Sequence, residues 1–192
     1  LTIKKLIPTV ELGKKLLADE QFRDEFAKKN HVVFQSGRAF EPEHTLSIFT
    51  VREDGRTSFE PIVNVMVTDN ALYWYQDSYE VDWQHTIFTL KLLNNKAVFI
   101  KDDGTLLTDI QFDKVIHNHG QFPIGVGKAD DAHNIKYNFI DQEGNFISKE
   151  WLDKISAFRR GDEYTTVSSG GKMNLIKYNG TIVLPTWADD IE

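Results

Sequence analysis

Lys136-Tyr137-Asn138-Phe139-Ile140-Asp141-Gln142-Glu143-Gly144-Asn145-Phe146-Ile147, followed by Trp151-Leu152-Asp153-Lys154-Ile155, is the stretch on which the architecture turns. It occurs three times in altered form. Ile100, Gly104, Phe112, Asp113 and Val115 recur as Ile140, Gly144, Leu152, Asp153 and Ile155, and again as Ile176, Gly180, Ala188, Asp189 and Ile191. In every copy the isoleucine precedes the glycine by four residues, and the glycine precedes the residue before the aspartate by eight. The copies lie 40 and then 36 residues apart, so length varies between units and not inside them. A fixed internal register of this kind marks a repeat architecture.

Each copy reads as a small β unit. In the last one, residues 163–168 and 173–177 form strands around Ser169-Gly170-Gly171, and residues 181–184 form a third strand. The turn Lys177-Tyr178-Asn179-Gly180 has glycine last, which suits a type I turn closed by a left-handed residue and a bulge. Asp113, Asp153 and Asp189 are read as corner residues whose carboxylates accept backbone N–H bonds of their own turns. Gly104, Gly144 and Gly180, with these aspartates, are therefore structural repeat positions. One aspartate per unit supplies too few oxygens for a cation site.

Lys136-Tyr137-Asn138-Phe139-Ile140-Asp141 to Gly144, and Gly170-Gly171-Lys172-Met173-Asn174-Leu175-Ile176 to Gly180, resemble the WG repeat. That family's pattern is roughly Gly-Lys-Trp-Gly-aromatic-Ile-Asp-x-x-Gly, then a hydrophobic-Asp-x-Ile segment. Its Trp-Gly pair is replaced here by Tyr137-Asn138, Met173-Asn174 and, in the first copy, Ala97-Val98. Asparagine is read as standing in for glycine because it tolerates left-handed or bulge geometry. The resemblance covers residues 97–192. It implies a β-repeat array of about two and a half units. It also implies an interaction scaffold of the kind found in bacterial and phage proteins, without assigned catalysis.

The first 94 residues lie outside the resemblance. Thr9 follows Pro8 as an N-cap type, and Leu12, Leu16 and Leu17 recur at helical spacing. Asp19 opens a second helical stretch carrying Phe22 and Phe26, and Asn30 suits a left-handed end. One bent helix or two short ones are expected across residues 9–29. Beyond Asn30 the period changes to two. Strands are expected at residues 31–35, 45–52, 58–68, 71–76 and 86–93, with turns at Glu53-Asp54-Gly55, Asp69-Asn70 and Asn94-Asn95. The expected fold is thus mainly β. An N-terminal helical segment and antiparallel meander (1–94) lead into the repeats (95–192), as two parts or one continuous domain.

Composition narrows the function. Twenty-nine acidic against 22 basic side chains leave a net charge of −7, which opposes nucleic acid and anionic membrane surfaces as partners. The same balance admits a basic protein partner. Cysteine is absent, which removes thiolate chemistry and disulfides. No stretch reaches the ~20 apolar residues of a membrane span or reads as a signal peptide, so a soluble protein is expected. No cofactor is indicated.

Tyr73, Tyr75, Tyr79 and Trp83, among Asp77, Glu80, Asp82 and His85, form the densest aromatic-acidic cluster and the candidate binding patch. Core packing is the competing reading for most of these rings. His117 and His119 could begin a metal site, but no third ligand is marked and a solvated loop is preferred. No residue pattern selects a catalytic set. The expectation is a non-catalytic protein-binding or scaffold module. An acidic inhibitor of a basic partner and a phage or envelope structural component are the alternatives.

Overall fold

The computed structural model describes residues 3–36, 41–82, 84–116 and 121–191. The chain is mainly β, with antiparallel sheets and two short helices near its start.

A 3-10 turn at Ile3–Lys5 leads to α1 (Val10–Ala18) and α2 (Glu20–Asn30). Thr9 caps α1, its hydroxyl accepting the Leu12 N–H at 3.2 Å. Asp19 divides the helical stretch because it serves both ends. Its N–H donates to the Lys15 carbonyl, and its carboxylate accepts the Phe22 N–H at 2.9 Å. The left-handed residue after α2 is His31, at φ 55°, and not Asn30. The Asn30 amide donates to the Phe26 carbonyl at 2.8 Å, and this bond holds it in the last turn.

Six strands follow in chain order in one sheet: β1 (Val32–Ser36), β2 (Thr45–Thr50), β3 (Val63–Val67), β4 (Leu72–Asp82), β5 (Ile87–Leu92) and β6 (Ala97–Lys101). β1 to β4 pair antiparallel. Their register aligns Phe34, Ile48 and Val63 in one row and Leu46, Val65 and Trp74 in another. These rows share a face with period two and pack with Leu16 and Ala27 of the helices into one buried cluster.

The strand expected over residues 58–68 is reduced to Val63–Val67. Ser58 explains the loss. Its hydroxyl donates to the Glu60 carbonyl at 2.9 Å and accepts the Thr50 N–H at 3.3 Å, which bends the chain out of the ladder. Pro61 then offers no donor. In the other direction, β4 outruns its expected end at Gln76 and continues to Asp82.

Contacts group the chain into two compact units. The first holds Leu1–Glu80, Phe88–Asn94 and Phe99–Leu106; the second holds Val81–Ile87, Asn95–Val98 and Leu107–Glu192. Within the second, β7 (Lys114–Ile116), β8 (Ile124–Ala129) and β9 (Ile135–Ile140) form one antiparallel sheet. β10 (Lys154–Ile155), β11 (Tyr164–Ser169) and β12 (Lys172–Lys177) form another. Phe139, Leu152, Phe158, Val167 and Ile176 make a buried cluster there. Phe158 stacks on Tyr178 with ring centroids 4.4 Å apart.

Residues 181–184 do not form the expected third strand. A single bridge joins Ile176 to Ile182. Beyond it the Asn174 side chain engages both the N–H and the carbonyl of Leu184, so a side chain replaces the ladder. Among the described residues no helix is long and apolar enough to cross a membrane.

Candidate functional site

The residues that recur between copies converge on one polar clamp. In each copy two backbone bonds join the residue after a lysine to the residue before an aspartate: Ala97 with Phe112, Tyr137 with Leu152, Met173 with Ala188. The bridge brings each lysine to its aspartate. Lys96 reaches Asp113 at 3.1 Å, and Lys136–Asp153 and Lys172–Asp189 repeat the pair.

The aspartates do not cap their own turns. The second carboxylate oxygen of Asp113 accepts the Ala129 N–H at 2.8 Å, at the end of β8. That of Asp153 accepts the Gly170 N–H at 2.7 Å, just past β11. Each thus ties its copy to the hairpin of the following one. The Ala129 N–H, helped by Lys96, holds the Asp113 carboxyl below the usual carboxylate range. At Asp153 the Lys136 ammonium comes first and the Gly170 N–H second, with the same direction.

Asn138 and Asn174 also differ from expectation. Neither has positive φ. Both are buried, and their amides replace backbone pairing. Asn138 donates to the Ser148 carbonyl at 3.0 Å and accepts the Phe139 and Ser148 N–H groups at 2.7 and 3.1 Å. Asn174 makes the same three bonds to Leu184 and Leu175.

Gly144 and Gly180 close their turns at φ 88° and 84°, as expected from the glycine-last loops. They also lie against the preceding copy. A Cβ on Gly144 would sit 2.3 Å from the Leu107 carbonyl oxygen, and one on Gly180 1.9 Å from that of Ile147. Gly104, the equivalent position in the first copy, meets the Thr68 side chain instead.

The aromatic-acidic cluster is only partly a surface. Tyr75, read from sequence as a patch residue, is fully buried. It pairs across β3 with Asn64, and its hydroxyl donates to the Glu41 carboxylate at 3.0 Å with Thr45 Oγ1 at 3.3 Å. The Ser78 hydroxyl donates to the same Glu41 oxygen at 3.0 Å. Tyr73 is half-buried. Tyr79 is exposed, and its hydroxyl donates to Asp77 at 2.8 Å. That bond and the charge of Asp77 push the phenol pKa up. The exposed surface is therefore Tyr79 with Asp77 and Glu80. Trp83, His117 and His119 lie outside the described residues. Asp82 caps the following turn, accepting the Gln84 and His85 N–H groups, and contacts His85 Nδ1 at 2.7 Å.

Several residues escaped the sequence reading. The clamp lysines were legible, since Lys96, Lys136 and Lys172 each stand four residues before the repeat isoleucine. Glu41 was not, because its partner Tyr75 lies 34 residues away. Phe59 is 90% exposed, the most exposed large apolar side chain described, and its only sequence signal is its place between Ser58 and Glu60-Pro61. No protein-family model, no curated protein and no solved structure matches the chain.

Proposed function

We propose that the chain is a non-catalytic protein-binding or scaffold module built on WG-like repeats. What supports this reading is the clamp. The lysines, aspartates and asparagines that recur between copies bond to one another and to backbone. Recurrence is thereby accounted for by architecture, and contact with other molecules falls to the side chains the frame leaves exposed. Tyr79 with Asp77 and Glu80 is one such surface, an amphipathic ring rimmed by carboxylates. It suits a cationic partner, which also favours the second reading, an acidic inhibitor of a basic protein.

The test is retention of proteins on the immobilised chain at physiological salt, with Tyr79→Ala and Asp77→Asn side by side. Selective retention that both variants reduce is the expected outcome. Equal retention by both variants removes this surface. Failure to retain any protein overturns the binding reading itself.

A further inference from the structure

Segment 51–62 carries features that the repeat frame does not explain. Phe59 is 90% exposed, with Val51 at 40% and Ile62 at 47%. Exposure of this size on a loose loop would mean little, but this segment is held. Val51 bridges to Thr57, the Ser58 N–H donates to the Thr50 carbonyl at 3.0 Å, and the Ile62 N–H donates to the Ile48 carbonyl at 2.8 Å. The Arg52 N–H donates to the Arg56 carbonyl at 2.7 Å, and the Ser58 hydroxyl reaches the Glu60 carbonyl. The backbone on both sides of Phe59 is therefore tied down, and the ring is presented in advance of any contact.

Beside it is a concavity of about 330 Å³, with buried Phe49 among its lining residues together with Gln35, Arg52, Arg56 and Phe59. Among the described residues the only charged ones lining it are the two arginines; Glu53, Asp54 and Glu60 of the same segment do not line it. No carboxylate among the described residues lies within ion-pair reach of the Arg52 guanidinium, and Arg56 meets only Asp54, at 4.0 Å and largely in solvent. On a chain of net charge −7 this is a local cationic hollow with an aromatic wall. Arginine and aromatic side chains are both enriched at protein interfaces, and here they stand side by side.

We infer that residues 52–59 dock an acidic segment of a partner protein. Arg52 and Arg56 pair with its carboxylates, and Phe59 packs on a neighbouring apolar side chain. This rests on the protein-binding reading and assigns it a second surface, opposite in charge to Tyr79–Asp77.

The test is panning a random displayed peptide library on the whole chain, followed by titration of the most enriched peptide. The expected peptides carry several Asp or Glu beside an aromatic residue or leucine. Phe59→Ala weakens binding about 30-fold and Arg52→Glu with Arg56→Glu more than that, while Tyr79→Ala changes it less than about twofold. Raising salt from about 50 to about 300 mM weakens wild-type binding several-fold. Unchanged thermal melting of the variants separates these losses from misfolding. Basic peptides, peptides that bind Phe59→Ala equally, or no enrichment overturn the site. A concentration-dependent dimer abolished by Phe59→Ala also overturns it, assigning the face to a second copy. Peptides lost only with Tyr79→Ala overturn it while leaving the protein-binding reading standing.

Discussion

In the unit that begins the chain, two helices lay Leu16 and Ala27 against rows of Phe34, Ile48, Leu46, Val65 and Trp74. In the second unit no helix is found among the described residues, and each sheet joins two six-residue strands to one short strand, β7 or β10. The two short strands, β7 and β10, have few ladder bonds and little apolar face. The Lys–Asp clamp, the buried asparagine and the glycine-to-carbonyl approach add restraint in that unit. The comparison teaches that one chain uses two means of ordering β-structure. The first unit packs helices on the apolar face of its sheet. The second adds directional polar bonds, repeated at fixed spacing, to its own buried apolar cluster.

The comparison breaks most sharply at the glycines. Gly144→Ala in the repeat unit places a Cβ 2.3 Å from a backbone oxygen at φ 88°, whereas Gly55→Ala in the first unit, at φ 78°, meets open space. The repeat substitution is expected to cost about 3 kcal/mol and the other about 1, read from denaturant midpoints. Equal losses would show that close stacking of copies contributes nothing beyond backbone strain.

A smaller effect is expected at the buried amide. Asn138→Ala leaves the Ser148 N–H and carbonyl without their partner and is expected to cost about 2 kcal/mol. Asn138→Val sharpens the point, because Val98 occupies that place in the first copy. A valine variant as stable as wild type would show that the asparagine clamp is dispensable.

The smallest change is confined to acid. The carboxyl groups of Asp113 and Asp153 titrate below their ordinary range in the folded chain. Their contribution is therefore present above the unfolded pKa of about 3.9 and is lost as pH falls below it through the folded values. Asp113→Asn with Asp153→Asn is expected to flatten that acid limb of the thermal midpoint while leaving its shape near neutral pH unchanged. An acid limb as steep as wild type would place the titrating groups elsewhere.

Much of this frame was legible beforehand. Thr9 and Asp19 cap where their side chains reach only three residues along, to Leu12 and Phe22. Gly144 and Gly180 take the positive φ their loop lengths require. Asp113 and Asp153 were expected to cap their own turns, and their partners differ. The N–H groups they bind lie 16 and 17 residues away, and no local rule points to them. Tyr75 was misassigned for the same reason, since its burial depends on Asn64 of β3 and on Glu41.

The sequence by itself determined what depends on periodicity and short range: the threefold register, the helix caps, the turn glycines and a mainly β chain. The tertiary structure alone decided which carboxylate meets which N–H, which tyrosine is buried and which is exposed, and that Phe59 stands in solvent beside two arginines. Period and propensity act over a few residues. Burial and charge pairing depend on neighbours that the chain brings together only when it folds.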